Sequence, residues 1–527
     1  MQKIIVKNLV KSFGEREIFK IESLEINENE VVGIVGNNGS GKTTFLNILA
    51  GQINYDLGVV DIKGKVTYIK QFEELENEYK GLSGGEKTRN ILTTKLRDVN
   101  NILLIDEPTN NLDISSIEKL IIKLKRYKGT MCIVSHSRNL LDRLCTHIIE
   151  FEDGKVQKYV GNYSKYLEQK SINKKREEFE YMQYIEKKNK LEKSIVLSKN
   201  STKGIKKHPS RMGNSEARLN KRQVYETMEK LEGHTKALEK RLQMLEVKDK
   251  PKCKKVPKMS MSYNDSIISK IAISGNNINV SFGKKIIFNN ASFKVYTNSK
   301  TAIIGDNGTG KTTLINHIIS SKQGIQVNNK VKIGYFSQSL DNLDYTKTVF
   351  QNVIKDSVQN ETITRNILAR LLFNQDDIEK NISLLSGGEK VKAIIAKILV
   401  SDSNVLILDE PTNFLDTNAL IALEELLTEY KGTVLFTTHD RALVDNVATN
   451  LLIIQNGEIV GYEGDYSSYI DMVKESKERK EINVSDLELE FKITSVLSKL
   501  SITKNEDEKI ELEKEYNRLI DLKRKRI

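Results

Sequence analysis

The stretch VVGIVGNNGSGKTT at residues 31–44 decides the fold, and TAIIGDNGTGKTT at residues 301–313 repeats it. In both, an apolar run typical of a buried strand leads into a GxxxxGKT loop, and a helical pattern follows. Glycines let successive backbone N–H groups turn inward and cradle phosphate oxygens, and the following helix adds its positive end. Two such loops in matched contexts predict two nucleotide-binding α/β domains.

The surroundings of each loop are also repeated, which indicates a duplicated domain. VKSFGEREIF recurs as NVSFGKKIIF, LSGGEKTRN as LSGGEKVKA, LLIDEPTNNLD as LILDEPTNFLD, and IVSHSRNLLD as FTTHDRALVD. The steps from the LSGGE serine to the acid and then to the histidine are 24 and 29 positions in both copies. The copies differ in one place: 12 positions separate Gln71 from Ser83, whereas 48 separate Gln338 from Ser386. The first copy therefore lacks most of a helical insert.

We divide the chain into four predicted regions. They are a first nucleotide-binding domain at 1–164, a linker at 165–258, a second domain at 259–472 and a short helical C-terminal extension at 473–527. The linker contains 27 Lys and Arg against 13 Asp and Glu, a net charge of +14, and the whole chain is +12. Because the basicity is concentrated in the linker, we expect a polyanionic partner there, either nucleic acid or an anionic membrane surface.

The linker pattern predicts an antiparallel helical hairpin. A heptad seam on the second arm, with Thr235 at its missing position, comprises Met228, Leu231, Leu238, Leu242 and Leu245. A looser apolar stripe on the first arm comprises Phe179, Met182, Ile185, Leu191 and Ile195. Arms of about 30 residues predict a rod of roughly 45 Å. The turn is predicted near 198–218, which contains Gly204, Pro209 and Gly213.

Several classes of protein are excluded by what the sequence lacks. The three cysteines, Cys132, Cys145 and Cys253, form no CxxC pair, so neither a disulfide framework nor a zinc site is indicated. The start has no signal-peptide pattern, and no segment approaches 18 consecutive apolar residues. We therefore expect a cytoplasmic protein that is not a single-chain transporter.

The two GxxxxGKT loops supply the predicted phosphate-binding residues. These are Gly36, Asn37, Asn38, Gly39, Ser40, Gly41, Lys42, Thr43 and Thr44 in the first copy, and Gly305, Asp306, Asn307, Gly308, Thr309, Gly310, Lys311, Thr312 and Thr313 in the second. The lysines are predicted to reach the β- and γ-phosphates of ATP, and Thr43 and Thr312 to ligate Mg²⁺. ATP and Mg²⁺ are thus the expected cofactors.

A buried strand ends in paired acids in each copy, in ILLIDE and VLILDE. We predict that Asp106 and Asp409 hold Mg²⁺ through water. Glu107 and Glu410 follow where the strand ends, so they can turn toward the attacking water, orient it and deprotonate it. The alternative is that these are surface acids at a strand end.

A histidine and a glycine-rich motif complete each predicted site. His136 and His439 follow strands at the same distance from the paired acids, which favours contact with the γ-phosphate over core packing. The LSGGE motifs open a helix and can bind a γ-phosphate, although a simple turn is the alternative. Their residues are Ser83, Gly84 and Gly85 in the first copy, and Ser386, Gly387 and Gly388 in the second.

These motifs, with DEPTNxLD in both copies, a long linker and no membrane domain, resemble the ABC-F proteins of the ATP-binding cassette superfamily. The resemblance covers nearly the whole chain. It implies that two cassettes close head to tail over two ATPs. Lys42 would then face Ser386 and Gly388, and Lys311 would face Ser83 and Gly85.

The resemblance assigns two further pairs of residues. Gln71 and Gln338 match the Q-loop position, which helps to hold Mg²⁺. Phe13 and Phe282 match the position that stacks on adenine, and packing within a strand is the alternative for both.

ABC-F proteins act on ribosomes, where the linker enters the tRNA exit site and points toward the peptidyl-transferase centre. The long linker tip, the missing insert and the C-terminal extension are most similar to the Vga/Lsa-like ribosome-protection group, which counters lincosamides, streptogramin A and pleuromutilins. The resemblance implies rRNA and tRNA at the exit and peptidyl sites as partners of a monomer with paired cassettes. Expected ribosome contacts are Lys203, Ile205, Lys206, Lys207, Arg211 and Met212.

Three other functions stay open at this point. A housekeeping translation factor of the same family is the nearest, and a DNA repair ATPase or the ATPase subunit of a transporter is more distant. Ser137 also departs from the SHDR pattern that His439, Asp440 and Arg441 keep, so the two ATP sites need not hydrolyse at equal rates.

Overall fold

The structure is a computed structural model that describes residues 2–70, 102–109, 112–204, 214–248, 269–283, 285–337, 342–475, 493–497, 500 and 512–520. It contains two α/β domains, which we call cassette 1 and cassette 2, and a helical hairpin between them in the chain. The predicted fold class, two tandem P-loop cassettes, is confirmed.

Cassette 1 has one mixed sheet of nine strands in the order β4-β1-β2-β9-β8-β3-β7-β6-β5. The strands are β1 Gln2–Phe13, β2 Arg16–Asn27, β3 Val31–Gly36, β4 Leu57–Ile62, β5 Val66–Ile69, β6 Ile102–Asp106, β7 Thr130–Val134, β8 His147–Glu152 and β9 Lys155–Val160. The helices are α1 Lys42–Leu49, α2 Ile114–Lys125 and α3 Arg138–Leu144.

Cassette 2 divides its strands between an antiparallel sheet, β11-β10-β13, and a six-stranded sheet, β14-β15-β16-β12-β17-β18. The strands are β10 Ile271–Phe282, β11 Lys285–Tyr296, β12 Lys300–Ile304, β13 Ile325–Val327, β14 Ile333–Phe336, β15 Val405–Asp409, β16 Thr433–Thr437, β17 Asn450–Gln455 and β18 Glu458–Glu463. The helices are α6 Lys311–Ile319, α7 Val349–Lys355, α8 Glu361–Arg370, α9 Gln375–Ile378, α10 Gly387–Val400, α11 Thr417–Glu429 and α12 Arg441–Val447, with a 3-10 turn at Ile382–Leu384. The predicted insert corresponds to α7, α8 and α9.

The central strands place the functional residues at one edge. β6 and β7 pair in parallel, and every residue of both is buried, as expected for strands covered by helices on both faces. β3 pairs with β7 in the same direction. Because the carboxyl ends of parallel strands meet at one edge, the loops after β3, β6 and β7 converge there.

The hairpin consists of α4, Tyr163–Gly204, and α5, Asn214–Gln243. At 1.5 Å per residue, the 42 residues of α4 make a rod of about 63 Å, longer than predicted, whereas the 30 residues of α5 span about 45 Å, as predicted. Residues 198–204 and 214–218 are helical, so the predicted turn at 198–218 is too wide. The segment between the helices, 205–213, lies outside the described residues.

The predicted domain boundaries can be placed only in part. The boundary after 164 falls in the first turn of α4, and the boundary after 258 lies outside the described residues. In the predicted C-terminal extension, residues 473–475, 493–497 and 512–520 are helical.

The seam of α4 differs from the predicted stripe. Phe179 and Met182 are 58% and 62% exposed, so their assignment to the seam was wrong. The residues that turn inward recur at steps of three and four: Tyr181, Tyr184, Lys188, Leu191, Ile195 and Ser198. Amphipathic tyrosines and polar groups fill this seam, which explains why an apolar pattern missed it.

A polar pair lies inside the hairpin near the end of α4. The hydroxyls of Ser198 and Thr235 are 2.8 Å apart, and both side chains are buried. Thr235 also donates to the carbonyl oxygen of Leu231. A polar group at a coiled-coil seam reduces stability but favours one register, because any slip separates it from its partner.

The base of α4 is fixed to cassette 1 by a buried carboxylate. Glu150 on β8 accepts hydrogen bonds from the hydroxyls of Tyr166 at 2.5 Å and Tyr159 at 3.2 Å, and it pairs with Lys170. Cassette 2 repeats both tyrosines, as Tyr462 and Tyr469, but has an apolar isoleucine in place of Glu150. The carboxylate is thus specific to the copy that leads into the linker.

Thr235→Val tests the polar pair, because it removes the hydroxyl and keeps the side-chain shape. Loss of one partner of a buried hydrogen bond costs about 1–3 kcal/mol, so amide exchange in 190–204 and 228–243 should become roughly tenfold faster. The double variant S198A/T235V removes both hydroxyls and should lose less stability than T235V. Ser201→Ala, at an exposed hydroxyl of α4, is the control, and exchange in T235V that matched it would contradict the prediction.

Candidate functional site

A cavity of about 730 Å³ lies between the two cassettes and is lined by both. Its lining from cassette 1 includes Phe13, Asn38, Lys42, Thr43, Asp106, Glu107 and His136, and its lining from cassette 2 includes Ser386, Gly387, Gly388 and Phe414. The first P-loop and the second LSGGE motif, which are at least 342 positions apart in the chain, therefore share one cavity.

The P-loops have the backbone that phosphate binding needs. Gly41 precedes α1 at φ +95°, and a Cβ there would lie 2.6 Å from atoms of Ile18 and Phe19. Its copy, Gly310, precedes α6 at φ +105°. Only glycine combines this left-handed conformation with so close an approach.

The P-loop lysines point into their own loops. Lys42 Nζ donates to the carbonyl oxygens of Gly36 at 2.8 Å and Asn37 at 2.9 Å. Lys311 Nζ donates in the same way to Gly305 at 2.8 Å. Burial lowers the pKa of both ammonium groups, although nearby carboxylates such as Glu107 and Glu410 oppose it. A phosphate in either loop would give its lysine a charged partner.

The donor set around Asp106 fits Mg²⁺. Asp106 is buried, and neither carboxylate oxygen has a well-formed hydrogen bond within the described residues. Burial raises the pKa of Asp106 to about 6, against the opposing effects of the Thr43 hydroxyl and Lys42. Carboxylate and hydroxyl oxygens are ligands that Mg²⁺ prefers, and a cation would compensate this buried charge.

The predicted catalytic glutamates turn away from their strands. Glu107 and Glu410 have φ of +46° and +52°, a left-handed conformation that costs energy for a residue other than glycine. The turn brings Glu107 Oε1 to 3.4 Å from Nε2 of His136, and Glu410 Oε1 to 3.1 Å from Nε2 of His439. In both cassettes, the predicted base and the predicted γ-phosphate contact are therefore neighbours.

The two acid pairs differ in their hydrogen bonds. In cassette 2, Thr437 donates to Asp409 at 2.7 Å, and its hydroxyl accepts from the Glu410 N–H at 2.9 Å. Val134 occupies the same position in cassette 1, so Glu107 N–H donates to its carbonyl oxygen instead. Burial raises the pKa of Glu410 to about 7 and lowers that of His439 to about 4.

The second LSGGE motif begins helix α10. The Ser386 hydroxyl caps the helix by accepting from the Glu389 N–H, and the Glu389 carboxylate accepts from the N–H and the hydroxyl of Ser386. The positive end of this 14-residue helix therefore faces the cavity. Gly388 approaches the neighbouring loop closely, because a Cβ there would lie 2.5 Å from the carbonyl oxygen of Phe414.

Each P-loop is contacted by the opposite cassette. Asn38 Nδ2 donates to the Phe414 carbonyl oxygen at 3.0 Å, and the Asn307 N–H donates to Asp113 Oδ2 at 2.9 Å. Burial acts to raise the pKa of Asp113, but hydrogen bonds from Ser116 and Asn307 lower it to about 2. The paired cassettes thus have the head-to-tail arrangement that the family resemblance implies.

Other predicted residues are placed only in part. Phe13 and Phe282 are 55% and 63% exposed, so neither packs in a core as the alternative required. Five predicted residues of the ATP sites, Gln71, Ser83, Gly84, Gly85 and Gln338, lie outside the described residues, and so does Ile205 of the predicted linker tip. The tip residues Lys206, Lys207, Arg211 and Met212 lie outside them as well, and only the backbone of Lys203 is described.

Comparisons with known proteins agree with this site. The family model described as "ABC transporter" matches residues 19–78 and 288–413. Ribosome protection protein VmlR of Bacillus subtilis is 30% identical, over 98% of this chain and 97% of that protein. The chain belongs to the ABC-F family of ATP-binding cassette ATPases. It hydrolyses ATP, as predicted.

Two further comparisons bear on this ABC-F ATPase. Erythromycin resistance ATP-binding protein MsrA of Staphylococcus epidermidis is 31% identical, over 81% of this chain and 92% of that protein. Among solved structures, RNase-L Inhibitor aligns with a TM-score of 0.57 at 18% identity, over 86% of this chain and 90% of that chain, which shows the fold. In the part of the chain that the structure describes, no helix has the length and hydropathy to cross a bilayer.

Asp113, Asp416, Thr437 and Glu424 were not among the predicted site residues. Asp113 and Asp416 both sit in the quoted DEPTNxLD motifs, so the repeat could have identified them. Thr437 could have been found by noting that Val134 stands at its position in cassette 1. Glu424, which pairs with Arg138 across the cassettes, gave no such signal because its counterpart in cassette 1 is Ile121.

Gly388→Ala should weaken closure of the cassettes. The added methyl would displace the Phe414 carbonyl and with it the Asn38 contact, and such overpacking costs about 1–3 kcal/mol. The readout is the distance between spin labels on the two cassettes with MgATP. Gly387→Ala is the matched control, because a Cβ there would meet no protein atom within 4 Å. A G388A variant that closes as fully as G387A would refute the role of this approach.

Proposed function

We propose that this ATPase binds the ribosome at the tRNA exit site and protects translation from antibiotics of the peptidyl-transferase centre. The observation that supports it most is the hairpin: a basic rod of about 63 Å, in a chain similar along nearly its whole length to a protein named for ribosome protection. MsrA, whose name states erythromycin resistance, is a second relative of this kind.

The ATP cycle follows from the composite sites. ATP between Lys42 of cassette 1 and the Ser386 helix of cassette 2 joins two surfaces that belong to different domains, so binding favours closure. Asp106 and Thr43 would hold Mg²⁺, which would supply charge stabilisation for the phosphates. Glu107 orients and deprotonates the attacking water, and His136 contacts the γ-phosphate. Hydrolysis removes the bridging phosphate and lets the cassettes separate.

The charge of the linker suits an RNA environment. The linker 165–258, with its net charge of +14, can neutralise phosphates and release counterions, which is the main source of affinity for nucleic acids. The tip between Gly204 and Asn214 contains Lys206, Lys207 and Arg211 together with apolar Ile205 and Met212. Basic groups would anchor the tip on rRNA beside tRNA, and apolar groups would displace a stacked base or a drug of the lincosamide, streptogramin A or pleuromutilin class.

The glutamate roles predict a catalytic defect without a binding defect. Glu→Gln at both Glu107 and Glu410 should lower ATP turnover by about 10²–10⁴-fold, the usual contribution of a general base. Binding of ATP should persist, because the P-loops are unchanged, and the protein should remain on ribosomes with ATP. Glu361→Gln, on the exposed face of α8, is the matched control. Near-normal turnover in the double variant would refute the assignment.

The tip predicts a separation of protection from hydrolysis. Replacing residues 205–213 with a two-residue turn should abolish protection in a susceptibility panel of the three drug classes in a sensitive host. Basal ATPase activity should be retained, because no residue of either P-loop or acid pair lies in the hairpin.

A length-matched Gly/Ser replacement of 205–213 is the control that separates the length of the tip from its side chains. Protection that survives both replacements would contradict the role of the tip. A change in general growth without a change in drug susceptibility on adding the unaltered gene would favour the housekeeping translation factor over resistance.

A further inference from the structure

A buried arginine crosses between the cassettes close to both predicted catalytic histidines. Arg138 begins α3, two positions after His136. Its Nη1 donates to Glu424 Oε2 at 3.0 Å, and its Nη2 donates to the other oxygen of the same carboxylate. Nη2 also donates to Asp440 Oδ2 at 3.2 Å. Both acids belong to cassette 2, so this network forms only when the cassettes pack together.

Asp440 controls the backbone that follows His439. Its N–H donates to the Thr438 hydroxyl at 3.0 Å, and its Oδ1 accepts from the Ala442 N–H at 2.9 Å, which caps α12. His439 lies 3.1 Å from Glu410. A shift of Asp440 would therefore move the adjacent His439 relative to Glu410, the predicted base. Arg138 of cassette 1 thus holds Asp440, the residue of cassette 2 that positions His439.

The reciprocal contact in cassette 1 is different. Arg441 is the copy of Arg138, but the position of Asp440 is occupied by Ser137, which has no charge, and that of Glu424 by Ile121. Arg441 instead contacts Glu118 at 3.3 Å and Asp445 of its own cassette at 3.3 Å. Its side chain is 28% exposed, against 11% for Arg138.

Both terminal nitrogens of Arg138 are paired with carboxylates, and the network depends on all its members. Burial acts to lower the pKa of Arg138, but hydrogen bonds and charge from Glu424 and Asp440 raise it, so the side chain stays charged. Asn446 also donates to Glu424 at 3.1 Å. Breaking one partner of a buried ion pair leaves an uncompensated charge, whereas the intact pair contributes little net stability. Such a network therefore selects one geometry of closure.

We infer that Arg138 is a positioning residue, supplied by cassette 1, for hydrolysis at the ATP site of Lys311, Glu410 and His439. Closure places its guanidinium between Glu424 and Asp440, and this holds the His439 loop in its hydrolytic position. Among the described residues, the site of Glu107 and His136 receives no equivalent contact, because Ser137 offers no carboxylate to Arg441, which pairs with Glu118 instead. The two sites therefore hydrolyse ATP at different rates. This inference rests on the proposed roles of Glu107 and Glu410.

Asp440→Ser tests the inference by giving cassette 2 the residue of cassette 1. Serine and aspartate both cap helices well, so α12 keeps its cap, and the pair of Arg138 with Glu424 is untouched. In an E107Q background, where only the Glu410 site hydrolyses, D440S should lower kcat about tenfold, within the usual range of coupling between sites. The KM for ATP should change little, because the P-loop is not altered. In an E410Q background, D440S should lower kcat far less.

Ser137→Asp is the matched control, because it alters the equivalent cap in cassette 1 and should not lower kcat in the E107Q background. Equal losses from D440S in both backgrounds would mean a general effect on closure and would overturn the inference, as would an unchanged kcat in E107Q. Turnover in the double variant E107Q/E410Q is the separate result that would overturn the glutamate roles, and with them this inference.

Discussion

The hydrogen bond from the Asn307 amide of one cassette to the Asp113 carboxylate of the other, 2.9 Å long, represents the constraint on which the rest of the structure depends. The Asn38 amide makes the corresponding contact with the Asp416 carboxylate on the other side, at 3.4 Å. Each P-loop is thus completed by a residue about 200 or 400 positions away, which only a head-to-tail pair of domains can supply. The duplication is therefore part of the site and not a redundancy.

The same constraint gives the hairpin its mechanical role. β3 ends in the first P-loop and pairs with β8, where Val35 lies opposite Glu150. Glu150 is bound by Tyr159 and Tyr166, and Tyr166 lies in the first turn of α4. These contacts would transmit a rotation of cassette 1 on closure to α4, a rod of about 63 Å. The far end of such a rod moves much more than its base.

Much of the site could be predicted from the sequence, because phosphate and metal chemistry require particular residue types at fixed spacing. Lys42, Asp106, Glu107 and His136 all line one cavity, as expected. The turn of Glu107 was also anticipated from the end of its strand, and its positive φ provides it. Motif reasoning succeeds here because these residues act within a few positions of one loop or strand end.

The contacts between elements could not be predicted in the same way. Glu424 has an isoleucine as its counterpart, so the repeat gave no indication that it binds Arg138. The hairpin stripe was wrong at Phe179 because an apolar rule cannot recognise a seam that contains Tyr181, Tyr184 and Ser198. In both cases the partner across the interface, and not the local pattern, determines which side chains are buried.

The central claim is that ATP is enclosed between the cassettes. The most direct test is a cryo-electron microscopy structure of the E107Q/E410Q chain with MgATP. We expect two nucleotides per chain, one of them with its γ-phosphate between Lys42 and the helix that begins after Ser386. Nucleotides bound by the P-loops alone, with the opposite LSGGE helices out of contact, would contradict the account.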